Sequence, residues 1–454
     1  MSIQSASGAS RGSSVVGGAF NQILKEFYRP AVVDQLNSKT VLSRLLGRRN
    51  EGIEGKFMVA ALNTGRNHGI GVAGELGRLP DPQSQQYQQS RWGLRYSYGR
   101  IKFTGPGASG TRSDRGSFIR MMDSEVQGLA RDIQHFDNRV CFGDGSGRLC
   151  EVNVAGGGGA GPYDVTNPGG VVSSALGTQY LEEGMRVGTV ANDVSSLIVG
   201  TQPGAWSNGN RAAFIGAVDK VNGTVTFEDG NGAVVTPPTA GGTMYLYTAN
   251  EESADLPGNS WGRGLEQNGL AALISDADPV FQDGITGNYP AGLGEVPTAT
   301  NSVWKSSVIG NGGIAQAFAP SMFQQGMDLA DQIADGSIDL WMTTHGIRRQ
   351  YLNTLVGAKR YNNTMELDGG FKALHYDGRP IVVDKDSTRG RIYGLNLETM
   401  FLTYETDYDW IDQDGSVLHR LPNQDAFQAA MYRYWNMATE QRNRQVLIED
   451  ILDY

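Results

Sequence analysis

Residues 52–104 read GIEGKFMVAALNTGRNHGIGVAGELGRLPDPQSQQYQQSRWGLRYSYGRIKFT, and residues 114–142 follow as DRGSFIRMMDSEVQGLARDIQHFDNRVCF. The first stretch predicts two strands, at 56–62 and 94–103, around a polar, glycine-punctuated middle with almost nothing apolar to bury. A flap of that size cannot form a core alone. The neighbouring sequence supplies no surface for it to lie on, which points to another copy of the same chain. The second stretch places Phe118, Met122, Val126, Leu129, Ile133, Phe136 and Val140 at steps of four, four, three, four, three and four. That is one apolar stripe along a helix of about 40 Å, the organising element of a domain.

The totals set bounds. The 454 residues suggest two to four domain-sized units. The 62 glycines lie without a Gly-X-Y period, which excludes collagen and implies many turns. A net charge of −10 argues against a protein held to nucleic acid by phosphate neutralisation. Two cysteines imply no disulfide framework, and reduced thiols are expected. No apolar run approaches a membrane span, and the first 20 residues do not form a secretory signal.

Along the chain, a Ser/Gly-rich tail over 1–18 precedes predicted helices at 19–28 and 38–47. After the long helix, 155–170 reads as a linker. Residues 171–247 alternate short apolar runs with NG, DG and GG turns, predicting a small all-β barrel or sandwich. A second irregular region spans 253–303. From 315 the pattern becomes α/β: a helix to 334, a strand at 338–342, a helix at 347–355, and strands at FKALHY, RPIVVD, RIYGLNL and MFLTYE. The terminal segment from 427 alternates as a strand, then becomes RNRQVLIEDI, which suits either strand or helix.

Motifs with catalytic associations fail their context tests. Gly69, Gly71 and Gly74 spell G-x-G-x-x-G, but Pro80 and Pro82 forbid the helix that a dinucleotide site needs. Gly8, Ser10 and Gly12 spell G-x-S-x-G inside a Ser/Gly tail rather than at a strained strand-to-helix turn. The five histidines are scattered, and Cys141 and Cys150 have no companions for a zinc set. Asp384/Asp386 and Asp409/Asp412/Asp414 cluster in turns without the spacing of an EF-hand. A weak calcium site and simple turn formation both remain open there. No constellation of nucleophile, base and oxyanion stabiliser emerges, so an enzyme, a cofactor and a resident metal are not expected.

The order of parts resembles the major capsid proteins of tailed bacteriophages, the Hong Kong 97 fold shared with encapsulins and herpesvirus shells. The resemblance rests on GRIKFTGPGASGTRSDRGSFIRMMDSEVQGLARDIQHFDNRV, on GLEQNGLAALIS, and on LWMTTHGIRRQYLNTL with the LDGGFKALHYDGRPIVVDKD, IYGLNLETM and DWIDQDG segments after it. It implies an α+β chain: an N-terminal arm at 1–51, an extended E-loop at 52–104, and a P-domain with spine helix at 105–154. A linker and inserted β-barrel or sandwich domain would follow at 155–252, an A-domain at 253–420 and a C-terminal P-domain strand at 421–454.

The implied function is self-assembly as hexamers and pentamers into an icosahedral virion shell, built in the host cytoplasm and enclosing double-stranded DNA without sequence-specific binding. Separate scaffolding, portal and decoration proteins are the implied partners, and no membrane is involved. An encapsulin-like compartment is the alternative; another virion structural protein is a more distant one. No lysine lies between Lys56 and Lys102, so the loop tip lacks the nucleophile that some family members use for cross-linking. Arg66, Arg78, Trp92, Arg100, Arg112 and Arg115, on the flap and its junction with the helix, are the candidate inter-subunit contacts.

Overall fold

The computed structural model describes residues 40–50, 53–75, 77–105, 115–154, 161–171, 177–191, 212–237, 243–248, 264–279, 292–357, 365–367, 371–412, 417–422 and 424–453. The predicted helix at 19–28, the Ser/Gly tail with its G-x-S-x-G, and Asp414 lie outside them.

Among the described residues the strands form three sheets and one closed barrel. The long helix, Arg115–Val140, lies across a five-stranded sheet. That sheet joins Gly47–Arg49, Met400–Trp410, Ala426–Thr439, His419–Arg420 and Arg95–Thr104. Ala426–Thr439 is its centre, antiparallel to Met400–Trp410 on one side and to Arg95–Thr104 on the other. Val126 and Leu129 of the helix pack on Ile101, Phe103 and Ala429 of the sheet. The approach is so close that a β-carbon at Gly99 would overlap Ile133 and Leu129.

The stripe read from the sequence shifts near the end of the helix. Phe136 is 38% exposed, whereas Asp137 and Asn138 turn inward. The sheet carries a buried arginine at that level, and its charge draws the carboxylate in.

The flap also differs from expectation. Phe57–Gly65 pairs not with 94–103 but with the polar strand Gln86–Gly93, in register from Phe57↔Gly93 to Gly65↔Gln86. Arg95–Thr104 belongs to the sheet under the helix. Ile53–Glu54 adds a short third strand beside Phe57–Gly65. Beyond its root the ribbon is exposed on both faces and needs little apolar sequence, so QYQQSRWG shows no strand alternation beyond Ser90 and Trp92.

The second half builds a seven-stranded mixed sheet in the order Ser307–Ile309, Val446–Ile448, Ile392–Leu395, Leu340–Thr343, Arg379–Val383, Phe371–Tyr376, Met365–Leu367. Helices Ser321–Ala334 and His345–Gly357 share the core on one face with Trp341, Ile381 and Ile392. Leu340, Met342, Val382, Tyr393 and Leu395 join a second, central core on the other side. Phe142 at the end of the long helix, and Leu402 and Trp435 of the first sheet, share that central core.

Two expected boundaries therefore move. Met400–Trp410 pairs within the first sheet rather than the second. The terminal segment splits between them, with Ala426–Thr439 in the first and Val446–Ile448 in the second.

The expected β region is a closed six-stranded barrel. Its order is Thr224–Glu228, Tyr163–Thr166, Arg148–Asn153, Thr243–Thr248, Arg186–Ala191 and Ala213–Asp219. It begins directly after the long helix and recruits 163–166 from the stretch read as a linker. Leu149, Val152, Val165, Val187, Ile215, Val225, Phe227 and Leu246 fill its interior. The helix expected at 38–47 is one turn, Leu42–Leu45, running into the edge strand Gly47–Arg49.

Candidate assembly surfaces

Three polar devices fix the elements that carry the exposed surfaces. The first is buried between helix and sheet. Asp137, 1% exposed, accepts hydrogen bonds from Arg433 Nη1 (2.6 Å), Tyr408 Oη (2.6 Å) and Ser97 Oγ (3.5 Å). Trp435 Nε1 and Gln267 Nε2 donate to the same Ser97 oxygen, at 3.0 and 2.7 Å. Arg433 lies over the Tyr408 and Trp435 rings and within 3.2 Å of Asp407. Burial alone would lower its pKa, but Asp137, Tyr408 and Asp407 together outweigh burial and hold it raised. A buried ion pair adds little net stability but costs several kcal/mol to break on one side, so this one locks the pose of helix on sheet.

The second device clips residues 41–49 to the body. The Asp384 carboxylate, 2% exposed, accepts from Val41 N, Leu42 N, Asn138 Nδ2 and Asp386 N. It satisfies amides at the start of the one-turn helix and ties them to the long helix through Asn138. Arg48 pairs with Asp407, and Arg49 with Glu440 while lying over the Phe401 ring. The Asp384/Asp386 turn thus has a structural occupation. Among the described residues no group of three or more His, Cys, Asp or Glu side chains could hold a metal ion.

The third device seats the barrel. Gln179 Nε2 donates to the carbonyls of Lys385 and Ser387, and Tyr180 Oη to that of Asp386. Arg139 pairs with Glu266 beside them and lies over the Tyr180 ring.

The flap stands on a root and exposes its tip. At the root, Met58, Leu62 and Trp92 enter the central core. Trp92 lies 6.3 Å from Trp304, whose Nε1 donates to Leu293 O. Gly294, at φ 67°, presents no side chain there; its β-carbon would sit 3.1 Å from the Trp92 ring. Outside, Arg91 pairs with Glu295 and lies over Phe57. Towards the tip the two limbs run close: a β-carbon at Gly69 would meet Gln83 N at 2.9 Å, and one at Gly71 the Pro80 ring at 3.0 Å. The G-x-G-x-x-G therefore reflects close backbone approach. The tip leaves Ile70 86% exposed, Leu79 78% and Val72 wholly so.

The six candidate contacts fall differently. Arg66 and Arg78 are exposed on the tip, Arg78 paired with Asp81. Arg100 is exposed on the sheet and donates to Gln428 Oε1. Trp92 is a correction: at 2% exposure it packs inside its own chain, because the ribbon's single inward tryptophan anchors the root. Arg112 lies outside the described residues. Arg115 is the first residue of the long helix.

The sequence reading singles out Asp384 only as part of a turn cluster and misses Asp137, Arg433 and Tyr408, which lie far apart in the chain. The one legible signal was a charged residue beside an apolar stripe, which more often means a solvated face. Cys141 and Cys150 are free and fully buried, and burial pushes both thiols far above the ordinary value. Among the described residues no helix is long and apolar enough to cross a membrane.

No protein-family model matches the chain, and no curated protein matches it in sequence. Among solved structures it is similar to the cyanophage A-1(L) capsid asymmetric unit, with 11% identity and a TM-score of 0.52 over 95% of this chain and 98% of that one. It is also similar to the holo-SrpI encapsulin complex from Synechococcus elongatus PCC 7942, with 7% identity and a TM-score of 0.44 over 96% of this chain and 95% of that one. Gordonia phage Cozz gives 10% identity and a TM-score of 0.43 over 100% and 99%. The cyanophage match establishes fold: the chain has a phage-capsid fold over nearly its whole length. The other two superpose too loosely to add to that.

Proposed function

We propose that this chain is the major capsid protein of a tailed bacteriophage, assembling as hexamers and pentamers into an icosahedral shell around double-stranded DNA. One observation carries the reading. On a phage-capsid fold, a two-stranded ribbon is rooted firmly in its own core yet ends in an uncovered apolar tip. Such a tip is stabilised only by a neighbouring copy, so burial accrues with assembly.

In this reading the ribbon is the E-loop. The long helix and five-stranded sheet form the P-domain, the seven-stranded sheet with its two helices the A-domain, and the barrel an insertion seated on the turn after Arg379–Val383 and beside the end of the long helix. The lysine-free tip holds its neighbour by contact alone. The −10 charge lets packaged DNA lie against the wall without adhering, as suits a genome loaded by a motor. Scaffolding, portal and decoration functions fall to separate proteins, and assembly takes place in the host cytoplasm.

Sedimentation tests the reading. Purified chain should convert from subunits or capsomers into particles of many copies as concentration rises. A chain that stays monomeric under every assembly condition would refute it.

A further inference from the structure

We infer that Asn311 is a site of spontaneous modification. Its side chain closes on the amide nitrogen of Gly312, loses ammonia and becomes aspartate or isoaspartate, which unfastens the strap at 449–452. The inference does not depend on the assembly reading.

An asparagine followed by glycine is open to this chemistry because no β-carbon hinders approach to the glycine nitrogen. That nitrogen gives its proton to water or hydroxide and attacks Cγ of the asparagine. A C–N bond forms, the Cγ–Nδ2 bond breaks, ammonia leaves and a five-membered succinimide remains. Water then opens the ring at either carbonyl. One opening gives aspartate, and the other gives isoaspartate, whose main chain runs through the former side chain. The reaction needs a glycine N–H that no acceptor holds, in a place that water reaches.

Four Asn-Gly pairs lie among the described residues, and the fold treats them differently. Asn268 is 3% exposed and its side chain donates to Met437 O, away from water. Gly223 is buried and its N–H donates to Asp219 O at 2.9 Å, while Asn222 Nδ2 donates to Asp219 Oδ2 at 2.6 Å. Gly232 N donates to Asp229 O at 3.1 Å. Gly312 differs from all three. Asn311 and Gly312 are both exposed, and the Gly312 N–H meets no acceptor among the described residues. The space beside it is open, since a β-carbon there would touch nothing within 4 Å. The Asn311 side chain is tethered through Nδ2, its leaving group, to Ile314 O at 3.0 Å, an exposed hydrogen bond of modest net worth.

The product disturbs what this turn holds. The Asp450 carboxylate accepts from Asn311 N at 2.8 Å and Gly313 N at 2.9 Å, on either side of Gly312. Asp450 sits in a strap bonded along the same loop: Glu449 N donates to Ile309 O, Gln316 N to Asp450 O and Leu452 N to Gln316 O. A carboxylate at position 311 removes the donor to Ile314 O and sets like charge beside Asp450. Isoaspartate also adds one carbon to the main chain between the two amides that cradle Asp450. Both changes weaken hydrogen bonds to a charged group, which are the stronger kind.

Peptide mapping by mass spectrometry decides the point, on full-length wild-type chain aged in mildly alkaline buffer with and without denaturant. In the native chain Asn311 should convert roughly tenfold faster than Asn222 or Asn231, a difference of about 1.4 kcal/mol in barrier. In denaturant the three rates should converge, because the ranking comes from the fold. A native rate at Asn311 no higher than the other two would overturn the site. Hydrogen exchange then tests the consequence. The amides of Gln316, Glu449 and Leu452 should exchange roughly tenfold faster in aged chain and in Asn311→Asp than in fresh chain. Asn311→Gln, whose longer side chain closes the ring far more slowly, should age without that change. Aged wild type with unaltered exchange there, or aged Asn311→Gln that loosens equally, would overturn the link between the modification and the strap.

Discussion

Replacing Asp137 by Asn probes the joint between long helix and sheet while barely changing shape. The carboxylate lost is the close counter-ion of Arg433, itself 2% exposed; what remains is Asp407 at 3.2 Å, whose side chain is 42% exposed. Removing one partner of a buried pair costs about 3–5 kcal/mol, because the other charge stays buried. The lower end applies here, since the asparagine oxygen can still accept one of the bonds from Tyr408 or Arg433 and Asp407 offers a partial counter-charge. The expected loss is therefore about 3 kcal/mol. Asp137→Leu with Arg433→Met and Tyr408→Phe removes both buried charges and the phenol, leaving only the Ser97 hydroxyl, 3.5 Å from the lost carboxylate, without its acceptor. That triple variant should recover most of the loss, since hydrophobic replacement of a whole buried ionic group is often neutral. Guanidinium unfolding of dilute, unassembled subunit, read by tryptophan fluorescence, measures both. A single substitution costing under about 1 kcal/mol, the range of an exposed pair, would refute the claim that this network locks the helix. A triple variant no more stable than Asp137→Asn would refute the reason given for it.

Gly294→Ala forces a side chain at φ 67° against the Trp92 ring, so it should cost about 1–2 kcal/mol and loosen the flap root. Faster tryptic cleavage after Arg66 and Arg78, with global unfolding little changed, is the expected sign. Asp384→Ala leaves the amides of Val41 and Leu42 without their acceptor and should cost about 1–3 kcal/mol. Burial raises the Asp384 pKa, so the folded state binds this proton more readily than the unfolded one. The wild-type advantage over Asp384→Ala should therefore grow as pH falls from above the raised value to the ordinary carboxylate value. An advantage that shrinks on acidification through that window would contradict the shift. Cys141 and Cys150 should resist maleimide in the native subunit and react only on unfolding, so rapid native labelling would show the barrel and helix end to be open.

The legible parts of the fold were those whose apolar spacing is local. The long helix was readable because its stripe repeats over six turns, and the strands at FKALHY and RPIVVD because they alternate between turn signals. The ribbon's second strand escaped because both its faces are exposed, so burial imposed no alternation on QYQQSRWG. The barrel's first two strands escaped because one follows the helix directly and the other hides among glycines. What fixes the surfaces was the least visible. Asp137 meets Arg433 across 296 positions and Asp384 meets Leu42 across 342, and no local pattern encodes either meeting. Trp92 was visible as notable but assigned to the wrong side: an isolated tryptophan in a polar ribbon marks where the ribbon is rooted.

The central claim is that the flap tip builds the shell without building the subunit. Electron microscopy of two purified chains tests it most directly: the wild type, and one in which residues 66–85 are replaced by Asn-Gly to join Gly65 to Gln86 through a tight hairpin turn. The account predicts closed icosahedral particles from the first, and a soluble, cooperatively folded subunit that forms no stable shells from the second. Normal particles from the shortened chain would contradict it.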